Sequence, residues 1–177
     1  MHRLFIASAA ALIAGAACAQ ETDSARGNLI DRDGRAIGQV FFDQGPGELL
    51  ITIDARDVAE THRDSWHGAH LHAIGSCASA DFTSSGGHIN PSGRPHGLLN
   101  PEGPDNADLP NIWVHSDGTI IVELTTSRVR LIGDGETPGL LDEDGSALVI
   151  HAGRDDHSSQ PIGGAGARIL CAEIYAN

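Results

Sequence analysis

Histidine is unusually frequent in this chain, and two histidines have a spacing that suits metal binding. The 177 residues include ten histidines, a composition typical of metal chemistry. His70 and His72 flank Leu71 in a short apolar run. Side chains at i and i+2 project from the same face of a strand, so both imidazoles can reach one ion while Leu71 faces the core. Alone, this pair is a weak indication, because many such pairs are exposed or hydrogen-bonded histidines.

Three further histidines strengthen the metal interpretation. His151 ends the apolar run 147–150, which places it at a strand terminus. His88 follows two glycines, where the backbone can approach a ligand closely. His96 lies in an Arg-Pro-His-Gly sequence. Three or four neutral imidazoles form a donor set that suits copper or zinc.

The elements that must position these histidines are predicted to be strands. Short apolar runs recur between Gly- and Asp-containing turns, and we find no useful helical period in residues 20–177. This pattern predicts an all-β fold, a Greek-key β-barrel or sandwich of about eight antiparallel strands. The expected strands are 25–31, 37–42, 48–54, 68–74, 112–115, 119–125, 129–132, 147–151 and 169–175.

Two long loops interrupt the strand pattern and are predicted to be functional. Residues 75–111 are rich in Gly, Ser, Pro and Asn, and a loop this long in a compact domain must serve a function or be tied down. It contains Cys77, His88, His96, Asp105 and Asp108, and metal ligands would supply its order. The second loop, 152–167, ends in a Gly-Gly-Ala-Gly-Ala sequence.

The charge balance excludes some partners. The chain has 11 basic and 24 acidic residues, a formal charge of −13, and every basic residue is arginine. A chain this acidic is a poor candidate for binding nucleic acid or an anionic membrane.

Residues 1–19 are predicted to be a signal peptide, leaving 20–177 as the mature domain. Arg3 precedes an apolar stretch, and Ala17-Cys18-Ala19 fits a cleavage site. Two alternatives stay open: a buried N-terminal helix, and lipidation at Cys18, which would attach the protein to a membrane. Export predicts a periplasmic or secreted protein, in which Cys77 and Cys171 should form a disulfide. The alternative is a pair of free buried thiols.

Several motifs, in order along nearly the whole mature chain, resemble copper/zinc superoxide dismutase. They are His67-Gly68-Ala69-His70-Leu71-His72, Gly87-His88-Ile89-Asn90-Pro91, Asp108-Leu109-Pro110-Asn111 and Gly166-Ala167-Arg168-Ile169-Leu170-Cys171. The resemblance implies a Greek-key barrel with copper and zinc as cofactors. It implies copper ligands His70, His72, His88 and His151, and zinc ligands His88, His96 and Asp108.

The resemblance also assigns roles around the metals. His88 would bridge the two ions and pass a proton to the substrate, and Arg168 would bind the incoming anion. Asp155 would link a copper histidine to a zinc histidine, and such partners fix ring orientation. Cys77 and Cys171 match the family's disulfide. We also expect Arg154 to contribute positive charge from the second loop.

Asp105 departs from the family pattern, which has a histidine three residues before the zinc aspartate. A carboxylate can bind zinc at about 2.0–2.2 Å, so we expect Asp105 to complete the zinc site. The alternatives are a weak or empty zinc site, or a turn role for Asp105. His115 and His157 have no spacing that recommends them as substitutes, and His62 and His67 are expected to be surface or hydrogen-bonding residues.

The expected function is superoxide dismutation, giving dioxygen and hydrogen peroxide at a copper site. The alternatives are a copper-only dismutase and a non-catalytic copper-binding or delivery protein on the same fold. The complete copper set together with Arg168 favours the enzyme, because copper storage needs no anion-binding arginine. Superoxide is the expected partner; the oligomeric state is left open, with a homodimer as one option.

Overall fold

Ten β-strands and two short 3₁₀ turns form the regular structure of residues 23–177, which are the residues that the computed structural model describes. The predicted signal peptide, 1–19, lies outside the described residues. The strands are β1 (Ser24–Asp31), β2 (Ala36–Gln44), β3 (Leu49–Ala55), β4 (Ser65–His67), β5 (Ala69–His72), β6 (Ile112–Val114), β7 (Ile120–Thr126), β8 (Ala147–His151), β9 (Arg168–Glu173) and β10 (Tyr175–Ala176).

The first hairpin illustrates how local sequence produces these strands. The Asp31 carboxylate accepts the backbone N–H groups of Asp33 and Arg35, at 3.0 and 2.9 Å. Gly34 takes a left-handed conformation with φ of 78°, which glycine adopts without steric cost. After the turn, buried and exposed residues largely alternate along β2, as expected for a strand with one face on the core.

The strands are arranged as a Greek-key barrel, which confirms the predicted fold class. Eight of them form one antiparallel sheet in the order β5-β8-β9-β1-β2-β3-β7, with β10 beside β1. At one end, β7 joins β6 through a tight turn in which His115 N donates to Thr119 O at 2.9 Å. Strand β6 pairs with β4, and Gly68 alone separates β4 from β5. The connections from β3 to β4 and from β7 to β8 therefore cross the barrel.

Two strand predictions differ from the structure. Segment 129–132 is not a strand but holds only an isolated bridge between Arg130 and Gly139. Val129 and Leu131 are buried and Ile132 is exposed, yet the backbone is satisfied elsewhere: Leu131 N donates to the Gln44 side chain at 3.0 Å. The run 169–175 divides at Ile174 into β9 and β10.

The disulfide between Cys77 and Cys171 confirms the predicted pairing and fastens the first long loop to β9. The two Cα atoms are 5.9 Å apart. The Cys77 backbone N–H also donates to the Glu173 carboxylate at 2.7 Å. No helix within residues 23–177 is long and apolar enough to cross a bilayer.

Candidate metal centre

Strands β5 and β8 bring three of the predicted copper ligands together. His70 and His72 lie on one face of β5 and are at most 1% exposed. His151 ends the neighbouring β8, beyond a bulge that follows Ile150. Its ring centroid lies 4.8 Å from that of His70 and 5.9 Å from that of His72.

In two of these rings, one nitrogen is held by a backbone carbonyl. His72 Nδ1 donates to Gly86 O at 2.9 Å, and His151 Nδ1 donates to Gly166 O at 2.9 Å. Because Nδ1 carries the proton in each case, Nε2 of the neutral ring has a free lone pair. Both Nε2 atoms are buried and lack a hydrogen-bond partner.

His70 completes the group in the opposite orientation. Its Nε2 contacts Asp155 Oδ2 at 2.9 Å, and its Nδ1 is buried without a partner. The ligand atoms of His70, His72 and His151 all lie within 4.8 Å of one another. A buried polar atom without a partner costs about 1–3 kcal/mol, so three such lone pairs at one place form a site that suits a cation.

Burial keeps these imidazoles neutral. It lowers the pKa of His72 to about 2 and that of His151 to about 3. It also lowers the pKa of His70, although the Asp155 carboxylate opposes the shift. Neutral imidazole is the form that binds a metal ion, so the site is ready to do so at neutral pH.

His88 lies between this group and a second one. Its loop is fastened to β5, where Ile89 N donates to Leu71 O at 3.0 Å. The ring centroid of His88 is 4.4 Å from that of His70 and 5.4 Å from that of His72. Its Nδ1 contacts Asp105 Oδ2 at 2.8 Å, whereas its Nε2 is buried and unpartnered.

The second group contains all four predicted zinc ligands. Ligand atoms of His88, His96, Asp105 and Asp108 lie within 4.8 Å of one another. His96 Nδ1 faces Asp108 Oδ1 in close contact, without hydrogen-bond geometry. The other oxygen, Asp108 Oδ2, accepts the backbone N–H of Gly97 at 2.7 Å and of Asp105 at 3.0 Å. The carboxylate is thereby held with one oxygen directed at the group.

Carboxylates dominate the electrostatics of this second group. Burial acts to lower the pKa of His96, but Asp108 and Asp155 overcome it and raise that pKa to about 10. Burial likewise acts to raise the pKa of Asp108, but His96 and the backbone N–H groups lower it. The group therefore attracts positive charge strongly.

Asp155 joins the two groups, as the resemblance implies. Its Oδ2 contacts His70 Nε2 at 2.9 Å, and its Oδ1 contacts His96 Nε2 at 3.1 Å. The Asp155 side chain is fully buried. These contacts, in spite of burial, lower its pKa, so the carboxylate is ionised and orients both rings.

A cleft of about 450 Å³ opens onto these groups, and Arg168 lies on its wall. The guanidinium donates to Phe82 O and Gly86 O at 2.7 Å and to Ser85 Oγ at 3.1 Å. Gly86 O is also the acceptor of His72. The disulfide loop thus positions the predicted anion-binding arginine and a predicted copper ligand through one carbonyl.

Comparisons with known proteins support the same interpretation. A family model described as copper/zinc superoxide dismutase matches residues 36–174. The chain is 43% identical over 143 residues to the Cu-Zn superoxide dismutase of Caulobacter vibrioides, covering 80% of each chain. The chain belongs to the copper/zinc superoxide dismutase family. It is also 39% identical over 150 residues to Cu-Zn superoxide dismutase 2 of Aquifex aeolicus, covering 85% of each.

A solved structure with a similar sequence has the same fold. The crystal structure of a superoxide dismutase-like protein from Bacillus subtilis superposes with a TM-score of 0.77 at 36% identity. The alignment covers 83% of this chain and 95% of that chain.

Two residues that fix the position of Asp155 in this dismutase fold were not predicted from the sequence: Asn111 and Gly163. Asn111 Oδ1 accepts the Asp155 backbone N–H at 2.9 Å, and Asn111 Nδ2 donates to Asp155 O at 2.8 Å. A Cβ on Gly163 would lie 1.6 Å from Asp155 Oδ1, so this glycine makes room for the carboxylate. Asn111 ends one of the family motifs, which was the signal available for it.

The remaining residues considered in the sequence lie outside the two ligand groups. His67 is a hydrogen-bonding residue, as expected, but it is buried, with Nδ1 2.7 Å from His151 O. His115 is exposed, and His157 belongs to neither ligand group. Arg154, which was expected to contribute positive charge from the second loop, is exposed and does not line the cleft.

Proposed function

We propose that this protein is a superoxide dismutase, which converts two superoxide anions and two protons to dioxygen and hydrogen peroxide. The proposed copper ligands are His70, His72, His88 and His151. The proposed zinc ligands are His88, His96, Asp105 and Asp108. One observation carries the proposal: four buried imidazole nitrogens without hydrogen-bond partners, one from each proposed copper ligand, lie beside a cleft whose wall holds an arginine.

The donor chemistry of the two groups fits the two metals. Imidazole nitrogens suit copper, and a mixture of imidazole and carboxylate suits zinc. Bound copper supplies the redox chemistry, since it can take an electron from one superoxide and return it to a second. Zinc has one stable oxidation state, and its proposed part is to hold His88 and the surrounding loop.

Arg168 is the proposed binding group for superoxide. Its guanidinium remains charged, and the three protein groups it contacts are all uncharged. Its positive charge is therefore available to an anion in the cleft, beside the rings of His72 and His151.

His88 is the proposed proton donor to the reduced substrate. Its Nδ1 faces Asp105 and its Nε2 is the unpartnered atom. A ring held at one nitrogen can carry a proton on the other without changing its position. Asp155 supports the arrangement because it fixes the adjacent rings of His70 and His96.

Asp105 is the proposed fourth zinc ligand, in the place where the family has histidine. Its carboxylate is 3% exposed, lies 2.8 Å from His88 Nδ1, and accepts Ala107 N at 2.9 Å through its other oxygen. The local backbone thus holds the short side chain in a position that favours the zinc-containing enzyme over a copper-only one.

Export also remains part of the proposal. Residues 1–19 would direct the protein to the periplasm or the exterior, with lipidation at Cys18 as the alternative. The disulfide Cys77–Cys171 supports an oxidising compartment. N-terminal sequencing of the mature protein tests this: a chain beginning at Gln20 supports cleavage, and one beginning at Met1 contradicts it.

The decisive experiment measures superoxide consumption by the copper- and zinc-loaded protein. His70→Ala and His151→Ala should abolish activity, whereas His115→Ala, at an exposed histidine outside both groups, should leave it unchanged. A wild-type protein that is inert with full copper would instead support a copper-binding or delivery protein.

Metal analysis and anomalous scattering at the zinc edge test Asp105. Zinc should lie against the Asp105 carboxylate, and Asp105→Asn should weaken its retention. Zinc binding that is equal in the two proteins would exclude Asp105 as a ligand.

A further inference from the structure

Two arginines line the cleft, and only one of them has a role in the proposed function. Arg168 comes from β9, whereas Arg94 comes from the loop that carries His88 and His96. Arg94 is exposed. Arg94 had no predicted role, whereas Arg154 was expected to contribute positive charge from the second loop.

Arg94 is held at both its backbone and its guanidinium. The Asn90 side chain accepts Arg94 N at 3.0 Å and donates to Arg94 O at 2.8 Å. The guanidinium donates through Nη2 to Gly103 O. An exposed arginine is usually a mobile side chain, so these contacts fix its charge at the cleft wall.

The charge on Arg94 is not neutralised by a carboxylate. Within residues 23–177, Arg35, Arg56 and Arg130 each lie within 4.0 Å of an aspartate oxygen, whereas neither Arg94 nor Arg168 does. Asp105 is the one carboxylate among the described residues that line the cleft, and its Oδ2 contacts His88. The lining of the cleft thus carries two arginines and one carboxylate, in a chain of formal charge −13.

We propose that Arg94 is a second positioning residue for the anionic substrate, which guides superoxide into the cleft from the loop that carries His88 and His96. The inference rests on the proposed function. A small anion approaching this acidic protein is repelled by its global charge, so a local concentration of positive charge must attract it. Arg94 is one of the two arginines that supply it.

The test compares Arg94→Gln with Arg154→Gln, a matched control that removes the same charge from an exposed arginine outside the cleft. Second-order rate constants for superoxide are measured at ionic strengths from 10 mM to 0.5 M. For Arg94→Gln we expect a loss of about two- to threefold at 10 mM, the effect of one charge acting through water over about 8 Å. The loss should vanish at 0.5 M, where screening is nearly complete. Arg94→Lys should retain most of the wild-type rate.

Three outcomes would overturn the proposal. An equal loss in Arg154→Gln would assign the effect to net charge. A loss that persists at high salt would assign it to loop structure. An unchanged rate at 10 mM would remove any role for Arg94.

Titration of the copper-loaded proteins with azide, followed by the copper absorption band, separates this inference from the proposed function. If the wild type does not consume superoxide, dismutation fails as the function. Weaker azide binding in Arg94→Gln than in Arg154→Gln would still support an anion-positioning arginine, and equal azide binding would contradict it.

Discussion

Removal of the disulfide should lower both stability and anion binding, and the size of the first effect follows from the chain length it encloses. Cys77 and Cys171 are 94 residues apart in sequence. In the chain-entropy treatment, a closed loop of this length stabilises the fold by about 4.7 kcal/mol. For a domain of about 150 residues, each kcal/mol shifts Tm by about 2–4 °C. The variant Cys77→Ser/Cys171→Ser should therefore unfold roughly 9–19 °C below the wild type.

The disulfide also fastens the loop that holds Arg168. Phe82 O, Ser85 Oγ and Gly86 O, its three hydrogen-bond acceptors, follow Cys77 within ten residues. We expect the double variant to bind azide more weakly than the wild type at temperatures where both are folded, since the guanidinium loses a fixed position.

Calorimetry of the metal-free proteins measures the stability change. Wild type reduced with a phosphine is the matched control, because it lacks the cross-link but keeps both sulfur atoms. Its Tm should agree with that of the double variant. A decrease of less than about 3 °C in both samples would refute the chain-entropy reasoning, and a decrease confined to the variant would assign the effect to the serines.

Three further predictions concern the site. Asp155→Asn should reduce zinc affinity about 10- to 100-fold in a chelator competition, because partners of metal-binding histidines contribute about this much; an unchanged affinity would contradict the bridging role. Gly163→Ala should lower Tm more than Gly164→Ala, since both glycines have positive φ but only at Gly163 would a Cβ meet Asp155. Equal decreases would show that backbone strain alone causes the effect and would contradict the predicted clash with Asp155. In the metal-free protein, folded pKa values of about 2 for His72 and about 3 for His151 lie below the unfolded value of 6.5. The unfolded chain therefore binds more protons below pH 6.5, and stability should fall towards pH 4 by up to about 2.7 kcal/mol per pH unit; urea titrations that show a flat profile would contradict this.

Strand positions could be predicted from the sequence where one face is buried. The alternating run at β3 and the hairpin turn before β2 are local signals, and both are present in the structure. Segment 129–132 misled the prediction because burial of Val129 and Leu131 also produces an apolar run. Its backbone partners lie on a loop and a side chain, which no local pattern reveals.

The site residues differ in the same way: some could be assigned from a local pattern, and others depend on tertiary contacts. His70 and His72 could be assigned to one face because their spacing matches the strand period. Arg94 and Arg154 are alike in sequence terms, an arginine in a long polar loop, yet only Arg94 lines the cleft. The position of a loop side chain depends on contacts such as those with Asn90 and Gly103, which are made across several residues of irregular backbone.

By itself, the amino-acid sequence determined the donor types, the face of β5 that carries two of them, and the cysteine pair, because residue chemistry and strand periodicity are properties of short segments. The family resemblance implied that Asp155 links the two groups, but the tertiary structure alone decided that it does so through His70 and His96 and that Asn111 holds it in place. These residues come from β5 and from the two long loops, and only the barrel topology and the disulfide bring such distant segments within hydrogen-bond distance.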